Sequence, residues 1–210
     1  VVAVSRNLLA VADIGANLTL SAGSGVSLNA GARSLDVGRL DGDALDDIVV
    51  GGANGVGVYR GLAGGFAPGL TTPVATAVLG VAVGDYDHDG KGDIAFSDAA
   101  GVGVMRGAGG AAFLAPTRQP LLGATAAIDR ADFDGDGLSD VAVGVNGSGG
   151  HSIAILRGQP SGMLAAPVML PIAVTPESVH VDGDINGDGA PDLIVTDSNT
   201  QTVLVIASDP

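Results

Sequence analysis

The chain has 210 residues and a formal net charge of −14, with 35 glycines and neither cysteine nor tryptophan. So acidic a chain is excluded as a nucleic-acid binder, because phosphate contacts need clustered Lys and Arg, and without Cys it has neither disulfides nor thiolate metal sites. No apolar run is long enough to cross a bilayer as a helix, and nothing at the start of the sequence reads as a signal peptide. An apolar set dominated by Val, Ile, Leu and Ala, with so much Gly, predicts many short strands joined by tight turns, since Gly weakens helix interiors. Acid is unevenly chosen: Glu177 is the only glutamate among 23 acidic residues. The rest are Asp, the turn former and compact oxygen ligand.

In chain order the sequence reads as five repeats, predicted as blades over residues 1–32, 33–76, 77–123, 124–174 and 175–210. The first is the weakest, with strands expected at Val1–Val4, Leu8–Ala12, Leu18–Leu20 and Val26–Leu28 and a tight turn at Ser5–Asn7. Each later repeat opens on an apolar strand such as Val81–Val83 and then enters an Asp-rich loop. These loops run Gly38–Asp47, Gly84–Asp93, Ala131–Asp140 and Gly183–Asp192, and each is followed by a second apolar strand. A third strand ends in Arg-Gly three times, at Arg60, Arg106 and Arg157. Phe66-Ala-Pro68, Phe113-Leu-Ala-Pro116 and Leu164-Ala-Ala-Pro167 are expected to mark the fourth strand. The last repeat stops after the apolar stretch Val203–Ala207, before any such motif. Four short strands in each unit of about 50 residues is the period of a β-propeller blade, so the fold class is all-β, with about five blades and the last one incomplete. Both a closed five-bladed ring and part of a larger ring fit this count.

The loops carry the chemistry. In the pattern Asp-x-Asp-x-Asp-Gly-x-x-Asp, positions 1, 3, 5 and 9 offer side-chain oxygens and position 7 a backbone carbonyl. Gly at position 6 permits the sharp turn that brings both halves onto one ion. The second loop supplies Asp85, Asp87, Asp89 and Asp93 with the Lys91 carbonyl; the third supplies Asp132, Asp134, Asp136 and Asp140 with that of Leu138. The fourth has Asp184, Asn186, Asp188 and Asp192 with the Ala190 carbonyl, an amide replacing one carboxylate. The first keeps only Asp41, Asp43 and Asp47 with the Leu45 carbonyl, because Arg39 stands at position 1 and Ala44 at position 6. There the Arg39 charge is read as a substitute for an ion. All-oxygen coordination of this kind selects Ca²⁺ over zinc or copper, and the number of protein ligands favours it over Mg²⁺. Three calcium sites are therefore expected, with a fourth in question at the first loop. An EF-hand would need Glu at position 12, where Phe96, Val143 and Val195 stand. Simple hairpin turns do not need so many mutually repelling carboxylates.

The loops Asp85–Asp93, Asp132–Asp140 and Asp184–Asp192, with Phe66/Pro68 and Phe113/Pro116, resemble the FG-GAP/VCBS repeats of integrin α-chain propellers and bacterial surface proteins. The resemblance implies a propeller with calcium between the first two strands of a blade. It also implies an extracellular, cell-surface or periplasmic setting and use in adhesion or protein binding. Arg39, Ala44 and the loopless first repeat depart from the family pattern. The calcium loops should share a rim with the connections between strands three and four. The opposite rim should carry the turns at Gly52–Gly55, Ser97–Gly101, Asn146–His151 and Asp197–Thr200, with the inter-blade links at 71–75, 116–123 and 171–177. That ion-free rim is the expected partner-binding face.

An enzyme is not expected. His88 lies in a calcium loop, His151 in a Gly-rich turn and His180 in a strand, and there is no Gly-x-Ser-x-Gly elbow. The pairs Gly55/Gly57 and Gly101/Gly103 recur at blade spacing without a following helix, which is not a nucleotide fingerprint. The recurrent arginines are read as partners of neighbouring carboxylates. The remaining readings are a structural subunit of a larger surface assembly and a carbohydrate-binding propeller. Against the latter, aromatic platforms are scarce: two Tyr and four Phe.

Overall fold

A computed structural model of the protein describes residues 31–181 and 183–208 in full, and residues 2–5, 8–14 and 20–27 as backbone strands. These residues form antiparallel β-sheets in which sequential strands are neighbours. The second repeat forms a four-stranded sheet from Ala32–Gly38, Asp47–Gly52, Gly55–Tyr59 and Leu70–Thr72. The third uses Val78–Gly84, Asp93–Asp98, Gly101–Met105 and Thr117–Pro120. In the fourth the strands are Ala124–Ala131, Asp140–Gly147, Gly150–Leu156 and Val168–Ile172. The fifth has three: Ser178–Val181, Leu193–Asp197 and Thr202–Ile206.

First strands of successive sheets lie side by side, from Ala32–Gly38 through Val78–Gly84 and Ala124–Ala131 to Ser178–Val181. This is the arrangement of a β-propeller, and repeats two to five are four consecutive blades. Stacking explains why the second strands do not alternate. Asp93–Asp98 is buried at every residue, because blade two covers one of its faces and blade four the other, and Asp47–Gly52 is buried at every residue as well. The core lies between blades. Val56 and Val58 of blade two share a cluster with Val78, Val81, Val83, Ile94 and Phe96 of blade three. In the next interface, Val102 and Val104 meet Ile128, Val141, Val143 and Val145. Ile153 of blade four then meets Val179, Leu193 and Val195 of blade five. Burying each such side chain contributes about 1.5–3 kcal/mol, so small aliphatics repeated at every interface replace the usual aromatic core.

Polar seams fix the blades in register. Val81 N–H donates to Ser34 Oγ at 3.1 Å and Val83 N–H to Asp36 Oδ2 at 2.7 Å. Ser97 Oγ–H donates to the Ala126 carbonyl at 2.9 Å, and Val181 N–H to Asp129 Oδ2 at 2.9 Å. Within blade three, Arg118 of the outer strand forks onto buried Asp98 at 2.9 and 2.7 Å and lies 5.0 Å from the Phe96 ring centroid.

Three strand expectations need correction. The first repeat contains Val2–Ser5, Leu8–Ile14 and one continuous strand, Leu20–Ser27, where two short ones were predicted. Gly23 and Ser24 are absorbed where the register slips between Ala10 and Ala12. Leu18, Leu28 and the turn residues Arg6 and Asn7 lie outside the described residues. The Phe-x-Pro motifs are not the fourth strand. Phe66 and Phe113 close small hairpins, Gly61–Leu62 with Gly65–Phe66 and Gly107–Gly109 with Ala112–Phe113, while Leu164 bridges Gly158. The outer strand starts only after Pro68, Pro116 and Pro167. Consequently part of each stretch predicted as an inter-blade link is outer strand, at Thr117–Pro120 and Val168–Ile172 for example.

Candidate metal centre

Each Asp-rich loop joins the first and second strands of its blade, and its backbone is curled by its own side chains. In the second loop Asp85 Oδ1 accepts from Asp89 N–H at 3.1 Å and Oδ2 from Gly90 N–H at 2.9 Å. Asp132 repeats this with Asp136 and Gly137 at 3.1 and 2.8 Å, and Asp184 with Asp188 and Gly189 at 3.0 and 2.8 Å. The donors Gly189, Gly187 and Asp188 hold the Asp184 carboxyl below the usual carboxylate range. Position 5 then caps position 7: Asp89, Asp136 and Asp188 accept from Lys91, Leu138 and Ala190 N–H. Glycine at position 6 is required by φ, which is +79° at Gly90, +86° at Gly137 and +93° at Gly189.

The second and third loops each bring three carboxylates together. One oxygen each from Asp85, Asp87 and Asp93, and likewise from Asp132, Asp134 and Asp136, lie within 4.8 Å of one another. These are the two acidic triads among the described residues, and either could hold a metal ion. Three carboxylates so close, all half-exposed or exposed except the buried Asp93, and backed by oriented backbone, suit a hard cation with oxygen ligands.

The predicted ligand sets divide more finely than their spacing suggests. Position 9 is a structural staple in every loop. Asp93 is fully buried, with Oδ1 accepting from Gly107 N–H at 2.7 Å and Oδ2 from Tyr86 N–H at 2.9 Å. Asp140 joins Phe133 and Gly158 in the same way, and Asp47 joins Leu40 and Gly61. Asp192 accepts from Ile185 and Ser208. Burial raises the Asp93 carboxyl to about 6 against the pull of those two N–H donors, with Asp87 and Asp85 adding to the rise. Asp140 is raised for the same leading reason. Asp93 still converges with its triad, whereas Asp140 does not. Asp89 is drawn aside by Lys91, whose ammonium pairs with it and holds it below the usual range.

The recurrent arginines reach back to position 3 of their own loops. Arg157 lies 3.1 Å from Asp134, Arg106 3.5 Å from Asp87 and Arg60 4.0 Å from Asp41. Sequence alone paired these arginines with carboxylates; the structure identifies which. The first loop differs in kind. Arg39 turns away to Asp46 at 3.6 Å on the surface, so it does not replace an ion among Asp41, Asp43 and Asp47. Its position 6 is Ala44, which has no positive φ, and only Gly42 turns left-handed at +87°. The fourth loop keeps the curled backbone, but Asn186 Nδ2 donates to Asp188 Oδ2 at 2.7 Å, spending one acceptor inside the loop. Predicted position-7 carbonyls belong to Leu45, Lys91, Leu138 and Ala190, on the turn between positions 5 and 9. Signals that spacing could not supply are the staple donors Gly61, Gly107 and Gly158, which lie 14 to 18 residues beyond the Asp they bind.

Fold and loops together define a β-propeller with acidic, metal-competent loops at the ends of its inner strands. The FG-GAP-like repeat profile matches residues 39–96 and 132–195, more than half of the chain, and the chain belongs to that family. No curated protein sequence matches it. Among solved structures, an Agrocybe aegerita lectin that recognises non-reducing terminal N-acetylglucosamine is similar at a TM-score of 0.61 and 18% identity, covering 96% of this chain and 60% of that one. A Lactobacillus plantarum protein is similar at 0.60 and 16%, covering 97% and 65%. BBS1N, from a complex with ARL6DN, is similar at 0.59 and 14%, covering 87% and 58%. The chain thus spans less than two thirds of each of these three structures, and the likeness is one of fold.

Proposed function

We propose that this chain is a calcium-stabilised, non-enzymatic propeller that acts outside the cytoplasm as a protein-binding or adhesion module. The observation that carries the calcium half is the convergence of Asp85, Asp87 and Asp93, and of Asp132, Asp134 and Asp136, on loops already curled by backbone donors. The Lys91 and Leu138 carbonyls would add backbone oxygens to these triads, the mixed carboxylate and carbonyl chemistry that Ca²⁺ takes. Asp184, Asn186 and Asp188 with the Ala190 carbonyl form a weaker third site, and the Asp41/Asp43 loop is the weakest of the four. Bound ions offset the acid concentrated on one rim and hold the first two strands of each blade. The role is structural, so recognition falls to the opposite rim, formed by the turns at Gly52–Gly55, Ser97–Gly101, Asn146–His151 and Asp197–Thr200.

A protein partner is favoured over a sugar by the placement of the aromatics. Tyr59, Tyr86 and Phe96 are buried, and Phe66, Phe113 and Phe133 are half-buried, so no broad ring faces solvent for a sugar to stack upon. One solved neighbour comes from a complex with another protein and one recognises a sugar, so the fold accommodates both uses.

The test is a thermal melt with and without chelator, together with a calcium titration. At millimolar calcium and a dissociation constant of about 10⁻⁴–10⁻³ M, each site adds about 0.4–1.4 kcal/mol. Two occupied sites therefore raise the melting midpoint by about 2–10 °C. A midpoint indifferent to chelator, or a titration with no bound calcium, rejects the proposal. Glycan-array binding competed by free sugar would replace the protein-binding half with a lectin.

A further inference from the structure

We infer that the second and third Asp loops are one cooperative cation-binding unit, in which His88 and the Asp85 backbone carry the occupancy of either loop to the other. This coupling rests on the calcium reading proposed above and goes beyond it, since two sites can also fill independently. The second loop holds a backbone outlier. Position 4 is Gly42, Gly135 and Gly187 in the other three loops, at φ of +87°, +74° and +83°. In the second loop His88 makes the same left-handed turn, at +58°. A side chain there costs strain that glycine avoids, and burial does not repay it, because His88 is exposed. The imidazole instead reaches the neighbouring blade, where Nδ1 lies 3.0 Å from the Gly137 carbonyl. A carbonyl only accepts, so Nδ1–H is the donor.

A second bond joins the same two loops. Ser139 N–H donates to the Asp85 carbonyl at 3.3 Å, and Gly84 makes room for the approach, since a Cβ there would stand 2.9 Å from Ser139 Oγ. Together the two bonds hold both peptide units that flank Leu138. The first unit has its carbonyl on His88 and its N–H on Asp136 Oδ1 at 2.8 Å. The second contains the Leu138 carbonyl, an expected ligand, and the planar trans peptide points that oxygen away from the N–H that Asp85 holds. Asp85 belongs to the second triad, and His88 stands between Asp87 and Asp89. Drawing the Asp85, Asp87 and Asp93 carboxylates onto an ion therefore also fixes the backbone from which the third loop hangs. Binding in the third loop acts back on the second by the same free energy.

The next junction cannot form either bond. Position 4 of the third loop is Gly135, with no side chain to reach out, and position 8 of the fourth is Pro191, which has no N–H to donate. A cleft of about 340 Å³ lies there instead, lined by Asp132, Gly135, Arg157 and Pro191 among others. Coupling is thus confined to one pair, and the fourth loop is its internal control.

The experiment is a calcium titration of the 210-residue chain followed at the amide NMR signals of Gly90, Gly137 and Gly189, each of which donates to position 1 of its own loop. Gly90 and Gly137 are expected to move together, along a curve steeper than a single-site isotherm. Asp87→Ala removes a carboxylate from the second triad and should weaken calcium binding at Gly137 by about three- to tenfold, while leaving Gly189 unchanged. His88→Gly suits the left-handed backbone, so it keeps the fold while cutting the bridge. In that chain the two loops should titrate independently, and adding Asp87→Ala should no longer touch Gly137. His88→Asn should restore the coupling, because its Nδ2 stands as many bonds from Cα as the imidazole Nδ1 and asparagine tolerates the left-handed turn. Curves equally steep with and without the His88→Gly change overturn the inference, even where both loops bind calcium tightly. A Gly137 affinity indifferent to Asp87→Ala does the same. A chain in which no amide responds to calcium fails the calcium reading and the coupling together.

Discussion

Replacing Asp140 with alanine separates the two jobs that aspartates perform in one loop. Asp140 is fully buried and holds the Phe133 and Gly158 N–H groups at 2.9 and 2.8 Å, so it ties the loop to the segment that follows the third strand. Its removal strands two donors, one of them fully buried, at a cost of about 1–3 kcal/mol each. Part is returned, because the carboxylate was itself desolvated and its pKa raised by that burial. The net loss is about 2–4 kcal/mol, or about 5–15 °C in melting midpoint for a chain of this length. Asp140→Asn keeps one acceptor and should lose about half as much. The decisive measurement is the same melt in chelator. A staple acts without metal, so the Asp140→Ala loss persists in full, whereas the loss from Asp132→Ala, whose N–H partners are exposed, shrinks toward zero once calcium is removed. If chelation abolishes the Asp140→Ala effect, Asp140 is a ligand and the staple reasoning fails.

Two further outcomes follow from the same structure. Burial opposes ionisation of Asp98, but the Arg118 fork and the Ala100 N–H outweigh it and hold the carboxyl below its usual range. Its stabilisation is therefore complete above the unfolded carboxylate pKa of about 4 and is lost as pH falls through the lower folded value; Asp98→Asn should cost about 2–3 kcal/mol at pH 7 and flatten acid unfolding in that range, measured by denaturant melts across pH. Gly103→Ala would place a methyl group 2.3 Å from the Phe96 ring, the cross-strand partner that covers this glycine, and should cost about 1–3 kcal/mol by the same melts; a neutral effect would mean the ring has room to move.

The strand order, the blade period and the position of every Asp-rich loop were legible because each is a local pattern. An apolar strand, an Asp-x-Asp-x-Asp-Gly turn and a second apolar strand specify one another within a dozen residues. Glycine at position 6 announces its positive φ, and Ala44 announces that the first loop turns differently. The Phe-x-Pro motifs were misread because their aromatic and apolar residues look like strand, while in the fold they close a separate hairpin or bridge before the outer strand begins. In the first repeat, Gly23-Ser24 carries the same letters whether it turns the chain or slips the register by a bulge.

By itself, then, the sequence determined that this protein repeats a four-stranded unit and carries oxygen-rich loops at fixed places in it, since both depend on neighbours along the chain. Only the tertiary structure decided what each carboxylate does. Asp93 and Asp140 share a position in the pattern, yet their partners arrive from 14 and 18 residues away, and only Asp93 joins a triad. Asp89 fits the ligand pattern as well as Asp136 does, but Lys91 takes it out of the cluster. The same holds for Val102 and Val203: alike in sequence, they differ in whether another sheet lies against them, and burial is a property of the neighbour as much as of the residue.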